Sequence, residues 1–181
     1  MDPLVTNIHD SLIARCRAGD RYAFKRIYDL YSRAMYNVAY RITADEDDAG
    51  DVIQEAFISA FSHLDRYRGD ATFGAWLKRI VVNKAINQVK KRKPETLPMQ
   101  EDWDVAEERN DEIEVDDQTV ERVKEAIRQL PEGYRTVLSL YLLEGYDHQE
   151  ISQILSVSVS TSKSQLNRAK NKLKEILTTI L

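Results

Sequence analysis

Lysine and arginine are the residue types whose grouping in this chain points to chemistry, and the chemistry is phosphate binding. The stretch "FGAWLKRIVVNKAINQVKKRK", residues 73 to 93, carries Lys78, Arg79, Lys84, Lys90, Lys91, Arg92 and Lys93 and no acidic residue, in a chain of formal net charge −4. Arg66 and Arg68 precede it, so positive charge accumulates up to Lys93 against Asp70 alone. A second basic run, Lys163, Arg168, Lys170, Lys172 and Lys174, lies near the C-terminus. Either run alone is equally well a solvated helix face. Two of them on separate folded units form the electrostatic footprint of a protein that grips a phosphate backbone at two places.

The remaining titratable groups do not assemble a catalytic set. His9, His63 and His148 lie far apart, and the single cysteine, Cys16, excludes an intrachain disulfide framework or a Cys-rich zinc site. HExxH, GxSxG and P-loop patterns and a Cys/His ligand set are absent. The acidic cluster "ADEDDAGD" (Asp45, Glu46, Asp47, Asp48, Asp51) lacks calcium-loop spacing, and a nuclease built on it would be metal-dependent. The expectation is a non-enzymatic protein with no cofactor and no metal. The N-terminus has neither the basic start nor the apolar core of a signal peptide, and no apolar run is long enough to span a bilayer. A cytoplasmic protein without membrane insertion is expected.

The elements that would position these residues read as helices. With 181 residues and 43% hydrophobic content, the chain suffices for one medium domain or two small ones. Phe24, Ile27, Tyr28 and Tyr31, then Met35, Val38, Ala39 and Ile42, follow helical spacing after a stop at Gly19 and a cap at Asp20. Val52, Ile53, Ala56, Phe57, Ala60, Phe61 and Leu64 make a second stripe, and Phe73, Trp76, Leu77, Ile80, Val81 and Val89 a third. No segment alternates as a strand would. The fold class is therefore all-α: a helical bundle over residues 8–93, an acidic flexible linker over 94–118 and a second helical unit over 119–181. The linker's carboxylates and prolines suit a solvated tether, and roughly twenty-five residues at ~3.3 Å each reach at most ~80 Å.

In the second unit, Thr119 is expected to cap a helix bearing Val120, Val123, Ile127 and Leu130, with Pro131 and Gly133 as its stop. Tyr134, Val137, Leu138, Tyr141 and Leu142 form the next stripe, ended by Gly145. "YDHQEISQIL" opens with Asp147 and Glu150 as a capping box. After "SVS", Ser158 caps a long basic helix whose buried stripe is expected to be Val159, Ser162, Leu166, Ala169, Leu173 and Ile176. Short helix, tight turn and long basic helix make a helix-turn-helix. Its outer side is expected to gather Thr161, Ser164, Gln165, Arg168 and Lys172, types that contact phosphates and base edges. Ser162 puts a hydroxyl where the pattern wants an aliphatic side chain, and a bond back to a carbonyl one turn earlier would satisfy it.

At this point the chain resembles the extracytoplasmic-function (ECF) sigma factors of bacterial RNA polymerase over nearly its whole length. "DDAGDVIQEAFISAF" is similar to the family's polymerase-binding helix, with Asp51, Gln54, Glu55 and Phe57 as its core; the side away from the apolar stripe presents Asp51, Gln54, Glu55 and Ile58. "FGAWLKRIVVNKAINQVKKRK" is similar to the helix that melts and reads the minus-ten element. The resemblance implies a minus-ten surface of Arg66, Arg68, Phe73, Trp76, Lys78, Arg79, Asn83, Lys84, Lys90 and Lys91. It also implies a pocket for a flipped base in "DRYRGDAT", and Asn83 aligns with a family asparagine at the upstream edge of that element. "LPEGYRTVLSLYLLEGYDHQEISQIL" and the helix after it resemble the minus-thirty-five-reading domain. There the implied contacts are Ser160, Thr161, Lys163, Ser164, Gln165, Arg168 and Lys172.

The implied partners are the beta-prime and beta subunits of core RNA polymerase, promoter DNA and, as a further partner the resemblance admits, an anti-sigma factor. The implied function is polymerase binding, promoter recognition and initiation. A free-standing helix-turn-helix regulator acting without polymerase is the alternative. The chain departs from the family at Ser156, where glycine is frequent, at Ser162, where an aliphatic residue is usual, and at Gln165, where an arginine is often found. A glutamine at a base edge would favour adenine.

Overall fold

The computed structural model describes residues 3–92 and 117–180, all in helices, turns and short connections, with no strand among the described residues. The chain divides into two compact units, Met1–Val89 and Lys90–Leu181. The expected linker falls on residues 94–118, which lie outside the described residues except where a helix begins at Asp117; Lys93 lies outside them as well.

Among the described residues the N-terminal unit holds the α-helices α1 (Pro3–Arg17), α2 (Arg21–Thr43) and α3 (Glu46–Ser62) and all but the last residues of α4 (Phe73–Arg92). Helix α1 was not anticipated, although Leu12, Ile13 and Cys16 recur one turn apart and are all buried. Gly19, at φ +83°, turns the chain, and the Asp20 carboxylate then accepts from the Tyr22 and Ala23 amides at the start of α2. Asp45 caps α3 in the same way through the Asp48 amide, and Glu46, Asp47 and Asp48 place negative charge at that helix's positive end. The acidic cluster is thus a helix start.

Ile27, Ile42, Leu77, Val81 and Val82 are completely or almost completely buried, and each such side chain contributes about 1.5–3 kcal/mol of hydrophobic stabilisation. The first turn of α4 lies flat on Tyr31 because Gly74 has no side chain; a Cβ there would meet the Tyr31 ring at 3.0 Å. Lys90, Lys91 and Arg92 then sit at the negative end of α4, where cations are favoured.

The C-terminal unit comprises α5 (Asp117–Gln129), α6 (Glu132–Leu138), α7 (His148–Leu155) and α8 (Val159–Ile180). Helix α5 begins two residues before the expected cap, so Thr119 lies inside its first turn. Pro131 ends it as expected, whereas Gly133 belongs to α6. The buried Arg135 guanidinium donates to the carbonyls of Arg128 and Leu130 and closes this corner. After α6 the chain widens into a π-turn, Ser139–Leu143, with the Glu144 amide bonded to the Ser139 carbonyl. That extra residue rotates the following side chains by roughly 100° around the axis. Tyr141 and Leu142, expected in the core, are exposed for this reason, while Ser139 and Leu140 are buried.

Candidate nucleic-acid and protein interfaces

On α3 the helical period separates two faces. Val52, Ile53, Ala56 and Ala60 point inward; Asp51, Gln54, Glu55 and Ile58 point outward, and Ile58 is 62% exposed. Phe57, which the helical period puts in the buried stripe and the resemblance puts in the polymerase-binding motif, is 3% exposed and so does not lie on the outward face. It packs against Tyr28 (ring centroids 4.8 Å) and Phe61 (5.7 Å), because at one residue from Ala56 it shares the inward arc. Its role is to hold α3 on α2. Between these helices runs an open groove of about 800 Å³, floored by Ile53, Phe57 and Phe61 and rimmed by Arg33, Tyr36 and Gln54. Arg33, Tyr36 and the exposed Tyr28 extend the candidate surface onto α2, and the sequence reading missed them because Tyr28 fits the core stripe. Glu55 pairs with Lys84 of α4 at 3.2 Å, so one face's acid is tied to the next face's base.

On α4 the exposed stripe is Arg79, Asn83, Asn87 and Lys90, with Lys91 beside it; Trp76, Lys78 and Lys84 are half-buried. Phe73 is 3% exposed, which corrects its expected place on the DNA-facing surface. Its ring sits 5.4 Å from Tyr31 and 5.5 Å from both Tyr67 and Trp76, so the helix's aromatic head is an anchor. The preceding loop has bonds of its own. The Tyr67 hydroxyl donates to the Ala71 carbonyl at 2.9 Å, Gly69 adopts φ +83°, and Thr72 Oγ1 accepts from the Ala75 amide. Arg66 and Arg68 project from it into solvent. Arg17 of α1 reaches its backbone, a residue no short motif marks.

The helix-turn-helix is built from caps. Asp147 and Glu150 form the expected capping box on α7, and Ser158 Oγ accepts from the Thr161 amide at 3.0 Å to start α8. Ser156 between them has φ +59°, a left-handed conformation in which glycine would be unstrained. Ser160, Lys163, Ser164 and Lys172 are exposed, and Thr161 and Arg168 half-buried; Lys172 is paired with Glu175 at 2.7 Å. Gln165 is 3% exposed and does not belong to this outer group. Positions 162, 165, 166 and 169 share one face of a helix, and all four are buried; Gln165 Oε1 finds no hydrogen-bond partner among the described residues.

Ser162, fully buried, meets His148 Nδ1 of α7 at 2.9 Å, which ties α7 to α8 where a bond to the preceding turn was expected. Tyr141 stacks on the same imidazole at 4.6 Å. Burial and the nearby Lys163 charge lower the His148 pKa, against a weaker opposite pull from Asp147.

Among the described residues no group of three or more His, Cys, Asp or Glu side chains is placed to hold a metal ion, and no helix is long and apolar enough to cross a membrane. What the geometry offers is two exposed basic stripes, on α4 and α8, and one mixed acidic and apolar face on α3.

Two family models match the chain. The family model described as Sigma-70 region 2 matches residues 27–95, and that for Sigma-70, region 4 matches residues 120–173. The RNA polymerase sigma-H factor of Pseudomonas aeruginosa is 32% identical, with 94% of each chain covered. The ECF RNA polymerase sigma factor SigW of Bacillus subtilis is 30% identical over 91% of this chain and 94% of its own. Among solved structures, CnrH in complex with the cytosolic domain of CnrY is similar with a TM-score of 0.55 and 26% identity, covering 93% of this chain and 96% of that one.

Proposed function

Because the chain belongs to the ECF sigma factors of bacterial RNA polymerase, we propose that its three exposed faces divide the work of transcription initiation. The protein binds core polymerase and directs it to promoters. The α3 face of Asp51, Gln54, Glu55 and Ile58, with the groove beside it, is assigned to the polymerase beta-prime subunit. An aliphatic residue as exposed as Ile58 beside carboxylates and an amide suits a protein partner better than a nucleic acid.

The second assignment concerns melted DNA. Arg66, Arg68, Arg79, Asn83, Lys90 and Lys91 hold the backbone of the minus-ten element while the loop before α4 receives a base pulled from the stack. Trp76, half-buried beside Tyr67, is the aromatic group available to that base. Lys78 and Lys84 supply positive charge from the flank.

The third is duplex recognition. Helix α8 enters the major groove with Ser160, Thr161, Lys163, Ser164, Arg168 and Lys172 toward DNA. Gln165 is left out of this reading, so no adenine preference is drawn from it. The acidic segment 94–118 tethers the two domains, the first over residues 8–93 and the second over 119–181. The protein takes no chemical step itself and works in the cytoplasm, where polymerase and DNA are. A protein regulator of the kind seen on CnrH is a further partner.

The observation that carries this reading is the separation of faces: on α3, α4 and α8 the polar residues assigned above are exposed or half-buried, while Val52, Ala56, Val81, Ala85, Leu166 and Ala169 on the opposite sides are buried. Run-off transcription from a genomic promoter library tests it, with core polymerase and either this protein or its Gln54→Ala, Ile58→Glu variant. New start sites that disappear with the variant are expected. Specific DNA binding by the protein alone, with no new transcripts, would instead favour a free-standing regulator.

A further inference from the structure

We propose that Arg17, at the end of α1, is a positioning residue for promoter opening: it holds the 64–72 loop in the shape that receives the flipped base without touching DNA itself. This rests on the loop reading above. Arg17 Nη2 donates to the Leu64 carbonyl at 3.4 Å and to the Tyr67 carbonyl at 2.5 Å, across 47 and 50 residues of sequence. These carbonyls bracket the single 3₁₀ turn Leu64–Arg66, which is otherwise closed by amide bonds from Arg66 to His63 and from Tyr67 to Leu64.

Tyr67 is the hinge point of the arrangement. Its ring is wedged 5.5 Å from Phe73 and from Trp76, its hydroxyl ties the far side of the loop at Ala71, and its carbonyl is what Arg17 grips. With side chain and backbone both fixed, the neighbours that project freely are Arg66, Arg68 and Asp70, the residues a phosphate and an extruded base would meet.

The neighbouring cation shows that Arg17 is not simply a charge at a helix end. Arg15 also lies in the last turn of α1 and is engaged locally, with Asp20 at 2.6 Å. Favourable interaction with the helix dipole needs a positive charge alone. Both bonds leave one nitrogen, Nη2, so what a lysine at this position lacks is reach, its side chain being one bond shorter, rather than donors. Hydrogen bonds from a charged donor are the stronger kind, so their loss leaves the loop free to sample other shapes at equilibrium.

The test uses full-length protein with core polymerase and the strongest promoter from the run-off library, rebuilt as synthetic duplexes. Each duplex carries one abasic residue, placed in turn along the non-template strand of the melted element. Open-complex formation is read for wild type, Arg17→Met and Arg17→Lys, with thermal melting of each variant as a check on folding. Wild type is expected to lose about tenfold at one position, the captured base. On intact promoter Arg17→Met is expected to lose a similar factor and Arg17→Lys a smaller one, because the ammonium keeps charge and donors but is one bond short of both carbonyls. On the duplex abasic at the captured position, both variants should match wild type within about twofold, because the loop then has no base to hold.

Equal losses for Arg17→Met on intact and abasic duplexes, or no loss on either, overturn the inference while leaving the loop reading standing. If no abasic position affects wild type, the loop reading itself fails and the inference falls with it. Should Arg17→Met melt early, Arg17→Lys alone decides by the same comparison.

Discussion

The two units hold the residues proposed to face DNA by different means. In the helix-turn-helix, bonds between near neighbours set the helix starts, Asp147 with Glu150 and Ser158 with Thr161, and Ser156 makes a left-handed turn. His148 bonds Ser162 across 14 residues to join the two helices. The loop and helix of the N-terminal unit depend on contacts between distant segments: Arg17 to Tyr67, Tyr31 to Phe73, Glu55 to Lys84. Local caps give a surface that tolerates change in its surroundings. Long-range props make the other surface sensitive to substitutions that never touch DNA.

The sharpest way to break this contrast is at the aromatic anchor. Phe73→Ala removes a buried ring shared by α2, the loop and α4, and should cost about 3–5 kcal/mol in denaturant unfolding of the N-terminal unit. Trp76→Ala, half-buried, should cost clearly less stability yet reduce promoter opening. Equal stability losses would mean the two rings play the same part and the division between anchor and reader is wrong.

In the C-terminal unit the corresponding pair is Lys163 and Gln165. Lys163→Ala should weaken binding to duplex promoter about two- to fivefold and lower the salt slope by about one, as loss of a single phosphate contact does. Gln165→Met puts an apolar side chain of similar length in place of a buried amide whose Oε1 has no partner among the described residues. It should leave base preference unchanged and raise thermal stability, by about 1 kcal/mol. An altered base preference in Gln165→Met would put that residue back on the recognition face.

The smallest expected effect concerns His148. Its folded pKa lies below the unfolded value because burial, helped by Lys163, disfavours the charged ring. The unfolded chain therefore takes up the proton more readily. The stability contribution is complete above the unfolded pKa of about 6.5 and is lost as pH falls through the folded one. The C-terminal unit should melt slightly lower at mildly acid pH, and His148→Gln should flatten that dependence. A pH dependence unchanged in the variant would assign it to other groups.

The same contrast explains what could be read from sequence. The caps at Asp20, Asp147 and Ser158 were legible because capping chemistry is written within four residues. The stripes of α2, α3 and α4 were legible because burial repeats with the helical period. Phe73 and Gln165 were assigned to DNA because a matching motif or a polar side chain suggested a contact, while the face on which each lands is set by its neighbours' burial. The π-turn at Ser139–Leu143 left no periodic mark before it shifted Tyr141 and Leu142 outward. Arg17 was invisible because its acceptors are backbone carbonyls, which every sequence has.

The central claim is that the outward face of α3 is a binding surface for polymerase, distinct from the protein's own core. Its most direct test is the affinity of full-length Gln54→Ala, Ile58→Glu protein for core polymerase, measured by fluorescence anisotropy on preparations whose thermal melting is recorded alongside. The account predicts at least about a tenfold loss of affinity, since substitutions at the centre of an interface reach that size, with melting unchanged. Wild-type affinity in a normally folded variant would contradict it.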